Sequence, residues 1–140
     1  MADLIKLIRL AVEARDTAHA PYSNHPVGAA LVTDTGDIFT GCNVENAAYP
    51  LGSCAEQAAI CAMVRGGGRV IAEMVVVGPA MPLNSAPCTP CGGCRQRIRE
   101  FATPHTVILV CNEREVLLTM TLDELLPESF GPENLNPKET

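Results

Sequence analysis

The stretch VGAALVTDTGDIFTGCNVE, residues 27–45, reads as two short strands, 27–33 and 37–44, joined by a tight turn around Asp34 to Asp37. Small and β-branched residues on either side of a polar Gly-containing turn are the pattern of a β-hairpin. Upstream, Leu4, Leu7, Ile8, Ala11 and Ala14 recur at the spacing of one helical face, which predicts a helix over 3–19 with Asp3 as N-cap. Pro21 and Pro26 bracket PYSNHP and end it. Downstream of the hairpin, ENAAYPLGS is a loop, and the Ala-rich run from Cys54 to Arg65 predicts a helix that stops at Gly66-Gly67-Gly68. IAEMVVVG predicts a buried strand at 71–78, followed by a Pro- and Cys-rich loop and a short helix at 92–101. HTVILVC and VLLTMT predict two more strands, and DELLPESFGPENLNPKET a helical turn with a polar tail. The order α-β-β-α-β-α-β-β argues for an α/β protein, a three-layer α/β/α sandwich around a mixed five-stranded sheet.

Length and charge narrow the function. A chain of 140 residues is long enough for one domain with a real core. Its 47% apolar content is ordinary for a globular protein, and no run approaches the roughly 20 apolar residues of a membrane span. MADLIKLIRLAVEAR carries charges every few residues, unlike a secretory signal, so the expected location is the cytoplasm. A net charge of −6 without a basic cluster argues against nucleic acid and for a small, uncharged substrate.

Seven cysteines then need a reason: Cys42, Cys54, Cys61, Cys88, Cys91, Cys94 and Cys111. In a reducing compartment a cysteine cluster reads as metal-binding or catalytic before it reads as disulfides. The densest part is PCTPCGGCRQ, residues 87–96. Cys91 and Cys94 are three apart at a helix start and so share a face, and Cys54 opens another helix. Three thiolates with a fourth position left to water make a catalytic zinc site. Glu56, two residues beyond Cys54, is then placed to reach the water rather than the metal. Three cysteines, Pro-Cys-x-x-Cys and a non-ligand Glu are the signature of zinc deaminases.

GCNVENAAYPLGSCAEQAAI (41–60), PCGGCRQRIREF (90–101) and ELLPESFGPENL (124–135) together resemble the small homotetrameric cytidine deaminases. The likeness runs from PYSNHPVGAAL (21–31) to the tail. It implies one zinc per subunit and hydrolysis of cytidine and deoxycytidine to uridine and deoxyuridine plus ammonia, in pyrimidine salvage. By position it implies Cys54, Cys91 and Cys94 as zinc ligands and Glu56 as the proton shuttle. It likewise implies Asn43 and Glu45 as hydrogen-bonding partners of the ribose 3′-hydroxyl, and the Ala55 N–H as a contact to the pyrimidine carbonyl. Phe130 matches an aromatic that enters a neighbouring subunit's site, and Tyr49 lies in a loop that meets neighbours. The resulting division is a catalytic domain over 1–126 and a tail, 127–140, that reaches a neighbour.

Two positions depart from the family. Gln57 stands where relatives often carry an Arg that offsets thiolate charge, leaving Arg95, the helix N-termini and the Gln57 amide to do so. Weaker acidification of the attacking water is the expected consequence. His25 stands where relatives commonly stack a Phe on the base, and imidazole is smaller and polar.

Plainer readings stand beside these. Cys91-x-x-Cys94 alone also fits a redox pair, a structural metal or a simple helix start. Cys88 is either a bystander or a fourth ligand that closes a structural zinc site. Cys42, Cys61 and Cys111 read as buried small hydrophobes. Asn43 and Glu45 can be an exposed strand edge, Glu56 a first-turn helix charge, and Phe130 a packing residue of its own subunit. His19 and His105 read as solvent-facing. The competing functions are a deaminase of another aminopyrimidine nucleoside, blasticidin-type or modified cytidine, and a non-catalytic structural zinc module. Polynucleotide editing is weakened by the acidic balance.

Overall fold

The computed structural model describes residues 3–79 and 86–135; parts of the expected Pro-rich loop (80–85) and tail (136–140) lie outside them. Helix α1 spans Leu4–Arg15, strands β1 and β2 span Gly28–Thr33 and Ile38–Cys42, and α2 spans Ala55–Arg65. They are followed by β3 (Ile71–Val77), α3 (Gly92–Phe101), β4 (Ala102–Cys111), β5 (Val116–Thr121) and the one-turn α4 (Leu122–Leu125). The sheet runs β2-β1-β3-β4-β5, with β3 and β4 parallel and the other neighbours antiparallel. The mixed five-stranded sheet expected from the sequence is therefore present.

Strand alternation divides the core between the two faces. Ala29, Leu31, Met74, Val76 and Ile108 pack with Ala55, Ala59, Met63 and Ile98 of α2 and α3. Their neighbours Ala30, Val32, Val75, Val77 and Leu109 pack with Leu7, Ile8 and Ala11 of α1. Successive side chains of a strand point to opposite faces, so one set of strands fills both layers. Glycine sets the closest approach. A Cβ on Gly41 would lie 2.6 Å from the Ala55 carbonyl oxygen and 2.7 Å from Ala58 Cβ, so only glycine lets β2 and the start of α2 touch.

Three boundaries differ from the sequence reading. Helix α1 ends at Arg15 rather than continuing to residue 19, because the chain turns to bridge β-fashion to the cleft segment. There His19 N–H donates to the Asn43 carbonyl (3.1 Å) and Glu45 N–H to the His19 carbonyl (2.8 Å). Strand β2 stops at Cys42, and Val44 bridges His19 and Ser53 instead. Strand β4 starts at Ala102, ahead of Pro104, where the ladder with β3 is irregular and Thr106 Oγ donates to the Ile71 carbonyl (2.6 Å). Proline is tolerated in a strand at such irregularities.

The segment after β5 is better ordered than a polar tail suggests. Thr121 and Glu124 form a reciprocal cap on α4. Beyond it, Arg99 of α3 hydrogen-bonds Ser129 Oγ (2.8 Å) and Glu133 (2.8 Å), and Gln96 Nε2 donates to the Phe130 carbonyl (2.9 Å). Among the described residues, no helix is long and apolar enough to cross a membrane.

Candidate active site

Two helix starts face one another across the end of the sheet. Cys54 is the N-cap of α2 and Cys91 the N-cap of α3, both in extended backbone, and Cys94 lies one turn into α3. The three Sγ atoms lie within 4.8 Å of one another, and Cys54 and Cys91 are 3.9 Å apart. Tetrahedral thiolate ligands at a Zn–S distance of 2.3 Å stand about 3.8 Å apart, so the cluster needs little adjustment to close on one ion. Soft sulfur donors select zinc among the common divalent metals. All seven cysteines stand as free thiols.

The protonation pattern agrees with a site built for a cation. Burial first, then the Glu56 and neighbouring thiol charges, push the Cys94 thiol far up, and burial with Cys91 and Glu56 raises Cys54. Cys91 is also raised by burial, but hydrogen bonds from the Cys94 N–H and from the other two cysteine side chains bring it below the ordinary thiol value. Three thiolates so close repel one another, and a bound cation removes that repulsion.

Glu56 is buried, 4% exposed, in the first turn of α2, and its carboxyl is raised mainly by burial. The backbone N–H, the Cys94 side chain and the charge of Arg97 pull partly the other way. Burial disfavours the carboxylate, so Glu56 holds its proton more tightly than an exposed carboxyl does. Glu56, Ala55, Cys54 and Cys91 line an open cleft of about 500 Å³ whose other walls carry Asn43, Glu45, His25, Cys88 and Tyr49. That volume is within the range of small-molecule sites.

A family model for the cytidine and deoxycytidylate deaminase zinc-binding region matches residues 1–110. The chain belongs to that deaminase family. The cytidine deaminase of Sporosarcina psychrophila is 39% identical over 134 residues, 96% of each chain. The crystal structure of the cytidine deaminase from Burkholderia pseudomallei superposes with a TM-score of 0.83 at 40% identity, covering 92% of this chain and all of that one. That of Mycobacterium tuberculosis gives 0.80 at 35% identity, covering 94% and 99%.

Within this deaminase cleft, the residues expected at the ribose end have clear structural partners. Asn43 clamps the loop before β1: its Oδ1 accepts from Val27 N–H (2.8 Å) and its Nδ2 donates to the His25 carbonyl (3.0 Å). Glu45 accepts from the N–H groups of Tyr22 (2.9 Å) and Ser23 (3.1 Å) and from Ser23 Oγ. The Ser23 hydrogen bonds hold its carboxyl below the usual carboxylate range. Neither is a bare strand edge. Tyr49 of the cleft wall meets Tyr22 in a tilted ring contact, with centroids 5.5 Å apart and planes 56° apart.

Other expectations shift. Arg95 does not reach the thiols; it donates to the carbonyls of Pro90 and Leu125 (2.8 Å each). The guanidinium nearest the thiols is that of Arg97, with Nη1 4.0 Å from Cys94 Sγ. The sequence reading missed it, although Arg97 stands three residues after Cys94, one turn along the helix. Cys88 stays outside the thiol cluster and lies 3.6 Å from His25 Nε2. Cys61 is exposed on α2, not buried, whereas Cys111 is buried. Phe130 is 56% exposed and is not part of the cleft of its own chain.

Proposed function

We propose that this chain is a zinc-dependent deaminase that hydrolyses cytidine and deoxycytidine to uridine and deoxyuridine with release of ammonia. The observation that carries the reading is the buried Glu56 carboxyl beside three convergent thiols on one open cleft. Cys54, Cys91 and Cys94 hold zinc, which when bound supplies Lewis acidity that makes water nucleophilic at neutral pH. Glu56 takes the two protons of the attacking water in turn, handing the first to ring N3 as the C4–O bond forms and the second to the amine as the C4–N bond breaks, so water is consumed and ammonia leaves. Its raised carboxyl suits both directions of transfer. The Ala55 N–H, the first of α2, donates to the pyrimidine carbonyl, since helix-start amides lack intrahelical acceptors. Asn43 and Glu45 orient the ribose, the second through acceptor capacity left beyond its loop contacts. His25 contacts the base.

The same reading places the enzyme in the cytoplasm, in pyrimidine salvage, as a homotetramer. Residues 1–126 form the catalytic domain, and the tail offers Phe130 to a neighbour's cleft. Tyr49, Leu51, Phe130 and Leu135, 56% to 74% exposed, are the apolar surface that such an assembly would cover. Ammonia release from cytidine and deoxycytidine by zinc-loaded protein, with sedimentation velocity for the assembly, tests both parts. A second reading, another aminopyrimidine nucleoside, is favoured by one observation, the polar His25–Cys88 pair in the cleft wall.

A further inference from the structure

Cys88 has no role in the thiol cluster, yet it stands on the wall of the same cleft beside His25. Its position is fixed from behind. A Cβ on Gly78 would fall 2.6 Å from Cys88 Cβ and 3.1 Å from Sγ, so the cysteine packs directly on the backbone at the end of β3. That backbone is itself anchored, because the buried Arg15 donates to the Gly78 carbonyl (3.3 Å) and pairs with Glu113 (2.7 Å).

The main chain of His25 is equally constrained. Its N–H donates to Ser23 Oγ (3.0 Å), and its carbonyl accepts from Asn43 Nδ2 (3.0 Å). What the backbone leaves free is rotation of an exposed imidazole about its own side-chain bonds. The Cys88 sulfur 3.6 Å from Nε2 restricts that rotation. Burial, with the Glu56 charge, pushes the Cys88 thiol up to about 11, so it keeps its proton at neutral pH and can donate. An imidazole that accepts at Nε2 carries its proton on Nδ1, which fixes the tautomer as well as the ring plane.

We propose that Cys88 is a positioning residue for base recognition: its thiol holds the His25 imidazole in one orientation on the cleft wall, and the two act as a unit in substrate binding. This rests on the reading of the cleft as a nucleoside site. Orienting the ring before binding spares the ordering cost at the moment of binding. Neither Cys88 nor His25 is among the groups that shift the Glu56 carboxyl, so loss of the pair raises KM rather than lowering kcat.

A double-mutant cycle tests the pair, with zinc content and far-ultraviolet circular dichroism checking each variant. Cys88→Ala should raise KM for cytidine about two- to tenfold, the worth of one ordinary hydrogen bond, with kcat within about twofold. Cys88→Ser, which keeps a donor, should stay closer to the unaltered protein than to Cys88→Ala. In a His25→Phe background, Cys88→Ala should change KM by less than about twofold. The same factor in both backgrounds, or a Cys88→Ser variant as impaired as Cys88→Ala, overturns the proposal while leaving cytidine turnover standing. A readout independent of turnover is the ¹⁵N resonance of His25 Nε2. It should move on Cys88→Ala and hold on Cys88→Ser, and an unchanged resonance in Cys88→Ala overturns the proposal even if cytidine proves not to be the substrate.

Discussion

Asn43 does two jobs with one amide. Its oxygen and nitrogen both bind the loop before β1, and the same side chain borders the cleft. Truncation leaves the part-buried Val27 N–H without its acceptor, at a cost of about 1–3 kcal/mol, while the exposed His25 carbonyl turns to water. Asn43→Ala should therefore lower the urea midpoint and raise KM together, whereas a pure ribose contact would raise KM alone. Arg97 makes a smaller claim. Its guanidinium stands 4.0 Å from Cys94 Sγ but is exposed, so water and salt screen it. Arg97→Gln should speed zinc transfer to a chelator by at most about fivefold, the range of an exposed charge contact, with a smaller effect at high salt. Equal transfer rates at low and high salt would remove Arg97 from the account of how this chain manages without an Arg at position 57.

At the scale of elements, the site exists because β2 presses against the start of α2. Gly41 permits that contact, and Gly41→Ala forces a Cβ to within 2.6 Å of the Ala55 carbonyl. Overpacking of this kind costs typically about 1–3 kcal/mol, and here the strain falls on the turn that carries Cys54 and Glu56. The variant should lose both thermal stability and activity, and activity should fall first because the helix start can shift before the sheet melts. The tail offers a pH test. The Glu133 carboxyl lies below the usual carboxylate range, chiefly because Arg99 hydrogen-bonds it. A group depressed in the folded state stabilises fully above its unfolded value and loses that contribution as pH falls through the folded value. Amide exchange over residues 128–135, corrected for intrinsic rates, should therefore quicken from neutrality to about pH 3. In Arg99→Gln it should be fast throughout.

On the scale of the whole molecule, a zinc ion held by Cys54, Cys91 and Cys94 would tie α2 to α3 and so would add to the stability of the fold as well as to the chemistry. Stripping zinc should lower the melting temperature, and a 100-fold excess over the dissociation constant is worth about 2.7 kcal/mol. Much of this architecture is legible in the sequence, since the hairpin at 27–45 and the strand–helix alternation after it fix the sheet and its layers. The convergence of the three thiols is legible too, because Cys91 and Cys94 share a face at one helix start and Cys54 opens another. What periodicity cannot carry is partnership across the chain. Helix α1 looks continuous to residue 19 until His19 finds Asn43 and Glu45, and Pro104 hides the start of β4. Cys88 looks like a spare thiol until the fold sets it against His25, and Arg97, which the sequence reading missed, stands by the thiols while the expected Arg95 binds the Pro90 and Leu125 carbonyls. The central claim is that Glu56 moves the protons of a hydrolytic deamination, and ammonia release from cytidine by zinc-loaded protein and by its Glu56→Gln variant tests it most directly. The account predicts rapid release that falls at least about 10²-fold in the variant with zinc content unchanged. Equal release from both proteins, or none from the folded, zinc-loaded parent, would contradict it.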